Sequence, residues 1–218
     1  NLFLKIYREL FRNKITKKFI DSKKYWDDRY FYGGNSGKGS YAKDAIQKAN
    51  FLNDAILNFG LNNIIDIGCG DGNNLKIFKS DSYFGIDVSK TVIRKNMLIF
   101  KGHRDKKFFF LNNNHSKILN EINSSIKNDE SIIVSFDVIF HLIEDDIYKE
   151  HINFINNINA RYCIITSSDN NIDYNPLVPH VRHRNYSNDL IKIGWALIDS
   201  EKIIGDRDKR EIKLFKKK

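Results

Sequence analysis

Residues 64–73 read Ile64-Ile65-Asp66-Ile67-Gly68-Cys69-Gly70-Asp71-Gly72-Asn73. An apolar run meets an acid and then glycines at every second position. Glycine lets a backbone turn tightly and approach a ligand with no Cβ in the way. The dinucleotide fingerprint spaces its glycines G-x-G-x-x-G. Here the spacing is G-x-G-x-G, and an acid beside the loop disfavours a pyrophosphate but suits an ammonium group. A second acid, Asp87, closes the next apolar run, Tyr83-Phe84-Gly85-Ile86, 19 residues after Gly68. In a doubly wound fold that position hydrogen-bonds ribose hydroxyls.

Three other stretches carry reactive side chains. Phe136-Asp137-Val138-Ile139-Phe140-His141 is followed by Glu144-Asp145-Asp146. Histidine is the side chain whose ordinary pKa lies near neutrality, so His141 can serve as a general base, with Asp137 the alternative. The three acids suit a helix N-terminus better than a metal, and no metal is expected. Pro179-His180-Val181-Arg182-His183-Arg184 offers four donors in six residues, suited to a polyhydroxylated or anionic acceptor. Gly33-Gly34-Asn35-Ser36-Gly37-Lys38-Gly39-Ser40 imitates a phosphate-binding loop, which reads G-x-x-x-x-G-K-[ST]. Gly39 stands where the hydroxyl residue belongs, Tyr32 where the first glycine belongs, and no apolar strand precedes it. It is not a P-loop.

These residues need elements to hold them. Residues 2–20 place Phe3, Ile6, Tyr7, Leu10 and Phe11 at helical spacing, a basic amphipathic helix. Residues 22–42 read as an aromatic, glycine-rich loop, and 43–58 as a helix ended by Gly60. Strands follow at 63–67, 83–86, 108–111, 131–135 and 162–166. Helices alternate with them at about 73–79, 89–100, 116–126 and 144–157. After a long loop at 168–185, a helix opens at Ser187-Asn188. Two β-like runs, 196–204 and 210–216, close the chain around a Gly205-Asp206-Arg207-Asp208 turn. Repeated β-α-β units predict an α/β, Rossmann-like sheet, mostly parallel, with helices on both faces and an antiparallel edge hairpin. Two units are expected: an N-terminal helix and lid over 1–42, and the sheet domain over 43–218.

The loop at 64–73 resembles motif I of the class I S-adenosylmethionine (SAM)-dependent methyltransferases. Gly85-Ile86-Asp87-Val88-Ser89 resembles their next motif, and with the later strands the resemblance covers roughly residues 60–167. It implies seven strands in the order 3-2-1-4-5-7-6 and SAM as cofactor, leaving as S-adenosylhomocysteine (SAH). Gly68, Gly70 and Gly72 would line the methionine part, with Asp66 near its amino group, and Cys69 would also bind the cofactor. Asp87 would take the ribose, with Val88 also binding the cofactor, and Asn112 or Asn113 would lie near the adenine. Phe136–Asp146 resembles the family segment that crosses beneath the transferred methyl, which places His141 or Asp137 as the base.

The leader Trp26-x-x-Arg29-Tyr30-x-x-Gly33-Gly34-x-Ser36-Gly37-x-Gly39-Ser40-Tyr41 is similar to that of small methyltransferases of glycan and surface-polysaccharide synthesis. This implies a lid, with Trp26, Arg29, Tyr30 and Tyr41 available to a sugar or to adenine, and His180, Arg182, His183 and Arg184 facing the acceptor. The expected reaction is methyl transfer to a sugar hydroxyl, such as that of a terminal rhamnose. The expected partners are a glycan acceptor and glycosyltransferases, fused or separate. Other readings are a small-molecule, protein or RNA acceptor, an inactive binding module, and aminopropyl transfer.

Composition narrows the setting. The 218 residues carry a net charge of +9. Residues 1–24 hold eight Lys/Arg against two acids, and 205–218 hold seven against three. The body between them is therefore at −1, which encodes no basic groove for nucleic acid. No apolar run reaches the roughly 18 residues needed to span a bilayer. Cys69 and Cys163 are the only cysteines and are expected to be free thiols in a reducing, cytoplasmic compartment, that of a host if the source is viral. The first residue is Asn1 and the only methionine is Met97, so a piece of a longer chain is expected.

Overall fold

A computed structural model describes residues 19–170, 177–204 and 209–218. The amphipathic helix expected over 2–20 falls almost wholly outside these residues, as do the Gly205–Asp208 turn and part of the 168–185 loop. The strands are β1 (Asn63–Ile67), β2 (Ser82–Asp87), β3 (Lys106–Phe110), β4 (Ser131–Phe136), β5 (Tyr162–Ser167), β6 (Trp195–Lys202) and β7 (Glu211–Lys217). They form one sheet in the order β3-β2-β1-β4-β5-β7-β6. The first five are parallel, and β7 and β6 form the antiparallel edge. This is the expected topology.

The helices are α1 (Ser22–Phe31), α2 (Ala42–Phe59), α3 (Lys90–Ile99), α4 (His115–Ser125), α5 (Asp145–Asn157) and α6 (Tyr186–Lys192). Alternation along each strand sorts the core into two faces. Ile65, Ile67, Ile133 and Ile165 pack with Ile118 and Ile122 of α4 and Ile152 and Ile155 of α5. Ile64, Ile132, Val134 and Ile164 pack with Leu52 of α2 and Ile93 of α3 on the other. Gly60 ends α2 in the left-handed region, at φ 64°.

Two elements differ from expectation. Residues 22–31 form a helix and not a loop, because Asp21 caps it by accepting from the Lys24 N–H at 2.7 Å and Lys24 pairs with Asp28 one turn on. The helix expected near 73–79 is a single 3-10 turn, Asn74–Ile77. The turn stops at Phe78, whose backbone is extended at ψ 144°.

Candidate active site

The carboxyl ends of β1, β2 and β4 lie level, since Ile67 pairs with Ile86 and Asp66 with Val134. Asp66, one residue before the end of β1, is buried and accepts from the Tyr83 hydroxyl at 2.7 Å. Burial, only partly offset by that bond, pushes its carboxyl up to about 7. Asp87 ends β2 and accepts from the Ser89 N–H at 2.8 Å and the Gly70 N–H at 2.9 Å. Burial again outweighs those donors and raises it to about 6.

Gly68, Gly70 and Gly72 all have positive φ, at 85°, 54° and 71°. The space their missing Cβ atoms would fill is taken by the protein itself. A Cβ on Gly68 would stand 2.3 Å from Val138 Cγ2, and one on Gly70 2.3 Å from Ser36 Oγ. The glycines therefore admit neighbouring segments of the chain. Gly68, Gly70, Asp87 and Val88 line the cavity at this end of the sheet. Asp66, Cys69 and Gly72 are not among its lining residues. The Cys69 thiol is buried, which pushes its pKa up.

The exit of β4 forms the opposite wall. Asp137 sits at φ 60°, uncommon for a residue with a side chain. Its carboxylate is clamped by Lys48, which is fully buried, and by Arg210, which bonds it at 2.8 Å and Asp44 also at 2.8 Å. Burial would raise Asp137, but the two cations outweigh it and hold it below the usual carboxylate range. With both oxygens bound to cations, Asp137 is held as an anchor between Lys48 and Arg210.

His141 Nδ1 lies 2.7 Å from the carbonyl oxygen of His180. A carbonyl only accepts, so Nδ1 carries the proton and Nε2 keeps its lone pair. Burial lowers the imidazole to about 4, leaving it neutral at pH 7. Trp26 meets it edge-on at 4.8 Å, and both line the cavity. A second histidine, His151, lines the same cavity, bonded to Ser135 at 3.1 Å and likewise lowered to about 4 by burial.

The N-terminal segment crosses between these walls. The Ser22 hydroxyl donates to Glu144 at 2.6 Å, and Tyr25 stacks on His180 at 4.9 Å. Asp27 accepts from the Ser89 hydroxyl at 2.6 Å and from the Thr91 N–H at 3.0 Å, at the start of α3. Tyr30 lines the cavity and shares a 3.0 Å hydrogen bond with Ser36. Arg29 donates to the Asn35 carbonyl at 2.6 Å, holding its own turn.

Several expected site residues stand elsewhere. Arg182 binds the Ile143 carbonyl and Asp145, while Arg184 binds Asp145 and the carbonyls of Leu142 and Ile143 and lies over Tyr148. Their charges brace the 142–145 turn, and neither residue is among those lining the cavity. His183 bonds Ser168 at 2.6 Å. Tyr41 donates to Asp71 at 2.6 Å and does not line the cavity; burial, followed by that bond, raises it to about 12. Asn112 and Asn113 are exposed, and the cavity is lined here by Leu111 and His115. Glu144 and Asp145 are engaged by Ser22 and the two arginines. Ser22, Asp27, Ser36, Lys48, Asp71, His151 and Arg210 are not assigned a role from sequence. Asp71 and Ser36 carry a signal, their places inside the glycine loop and the 26–41 leader.

No protein-family model matches the sequence, and no curated protein matches it. Solved structures do. A SAM-dependent methyltransferase from Clostridium acetobutylicum superimposes with a TM-score of 0.57 at 13% identity, over 79% of this chain and 92% of that one. The N-methyltransferase NodS from Bradyrhizobium japonicum, in complex with SAH, gives 0.59 at 12% identity, over 80% and 87%. Magnesium protoporphyrin IX methyltransferase from Synechocystis, with bound SAH, gives 0.57 at 12% identity, over 91% and all of that chain. The chain has the class I methyltransferase fold. The [4+2]-cyclase SpnF has it too, with a TM-score of 0.59 at 13% identity, so a class I methyltransferase fold does not fix the reaction.

Proposed function

We propose that the chain is a SAM-dependent methyltransferase that methylates a hydroxyl of an uncharged sugar, a terminal deoxyhexose such as rhamnose. The observation that carries the reading is one cavity lined by Gly68, Gly70 and Asp87 on one side and by His141 on the other. Ligands of open α/β sheets bind at this end of the strands.

The residues suit a cationic cofactor. Two buried carboxylates, Asp66 and Asp87, have raised pKa values, and Lys23 is the one lysine or arginine lining the cavity among the described residues. A positive ligand favours their ionised forms. When bound, SAM supplies a methyl group on a sulfonium, which departs as a thioether. The protein aligns the acceptor oxygen and receives its proton. Nε2 of His141 is the free lone pair for that proton, while the His180 carbonyl fixes the tautomer. Alignment supplies most of the acceleration.

Trp26 in the cavity wall supports a sugar ring, as does the resemblance of the 26–41 leader to that of glycan-linked methyltransferases. The engagement of Arg182 and Arg184 favours a neutral acceptor. Such an acceptor would come from a glycosyltransferase, fused or separate, in the cytoplasm.

The test is SAH release from SAM with rhamnosides, other glycosides, sugar phosphates, amines, peptides and RNA, with and without chelator. Rhamnoside methylation unaffected by chelator is expected. His141→Gln should lower turnover by about 10²–10⁴-fold with SAH affinity little changed. Methylation of peptide, amine or RNA but no glycoside overturns the sugar assignment. Full turnover in His141→Gln overturns the base.

A further inference from the structure

We infer that Ser36, Asp71 and Tyr30 are cofactor-positioning residues, so that the turn at 33–41 belongs to the cofactor site and not to the acceptor site. The inference rests on the cofactor reading above. Its basis is a reciprocal clasp between the turn and the glycine loop. The Ser36 N–H donates to Asp71 Oδ2 at 3.1 Å, and the Asp71 N–H donates back to Ser36 Oγ at 2.9 Å. Tyr41 donates to the same carboxylate oxygen, and the Asn73 N–H reaches Oδ1 at 3.3 Å. Burial raises Asp71, but these donors outweigh it and hold it below the usual carboxylate range. The clasp is therefore charge-assisted at neutral pH. A further tie runs from the Asn73 amide to the Ser40 carbonyl at 2.7 Å.

The clasp acts on Gly70. Ser36 Oγ and the Tyr30 hydroxyl occupy the space where a Gly70 Cβ would stand, at 2.3 and 3.0 Å. The Gly70 carbonyl accepts from Asn96 at 2.7 Å, and its N–H donates to Asp87 at 2.9 Å. The turn therefore presses on a peptide whose N–H aims the Asp87 carboxylate. Released from the turn, the loop loses the partner of the Asp71 N–H, and Asp87 loses a fixed donor. The path from Ser36 to cofactor affinity runs through Gly70 and Asp87. None of it passes through His141.

Calorimetry with SAH tests this on the whole chain. Ser36→Ala and Asp71→Asn should each weaken SAH by about tenfold, and Tyr30→Phe by about threefold, since it removes only the outer bond. The KM for SAM should rise by the same factors, with kcat and the acceptor KM unchanged. Melting of the ligand-free variants should fall by no more than about 2–4 °C. Lys38→Ala, exposed on the same turn, should bind SAH as the native chain does. Native binding of SAH with both Ser36→Ala and Asp71→Asn within twofold of it overturns the inference alone. So does a rise confined to the acceptor KM. Absence of SAH binding by the native chain overturns the cofactor reading and this inference with it.

Discussion

At the scale of single residues, the site is governed by buried groups with displaced proton equilibria. Asp66 and Asp87 are raised to about 7 and about 6 by burial. A bound cation lowers such values, so cofactor binding near pH 6.5 should release protons. The heat of SAM binding at that pH should then differ between buffers of unlike ionisation enthalpy, and identical heats would contradict it. The same shift links to folding. Between about 4 and 7 the folded state holds the Asp66 proton and the unfolded state does not, so this residue's contribution falls as pH rises. Asp66→Asn should therefore gain stability relative to the native chain from pH 5 to pH 8, read by urea melts at both. His141 and His151 pull the other way. Both are lowered to about 4, so the unfolded state binds more protons between about 4 and 6.5, and their contribution is lost as pH falls through that window.

At the scale of elements, α1 does the work that a β-α-β sheet leaves undone. The sheet ends in open turns after β2 and β4, and α1 bridges them, with Ser22 on Glu144 and Asp27 on the first turn of α3. Asp27 thus serves as a second cap for α3 beside Ser89, whose own hydroxyl accepts from the Val92 N–H. Asp27→Ala should cost about 0.5–2 kcal/mol, the usual worth of a capping side chain. Urea denaturation reads this directly, and an unchanged midpoint would mean that the Ser89 cap suffices.

At the scale of the whole molecule, one ionic cluster joins distant parts of the chain. Lys48 and Asp44 come from α2, Asp137 from the exit of β4, and Arg210 from the start of β7. Gly39 lies over it, where a Cβ would stand 2.2 Å from Asp137 Oδ2. Removing one partner of a buried cluster leaves a charge poorly compensated, so Lys48→Met should cost about 3–5 kcal/mol. The measurement is the denaturation midpoint, and a loss under about 1 kcal/mol would show that Arg210 compensates Asp137 alone.

The sequence by itself determined the sheet, its alternation with helices, the glycine loop and the two acids at strand ends. These are local signals: hydrophobic period, strand length and glycine spacing are written within a few residues of one another. Gly68, Gly70 and Asp87 could be placed for that reason. Tertiary structure alone decided which polar side chains are engaged. Arg182 and Arg184 read as acceptor ligands in sequence, yet they face Asp145 across the turn after β4. Tyr41 read as a stacking ring, yet its hydroxyl meets Asp71, 30 residues away. Lys48 carries no mark in the sequence, yet it is fully buried against Asp137, 89 residues away. Such partners are set by how the chain folds back on itself, and residue type and spacing carry no record of it.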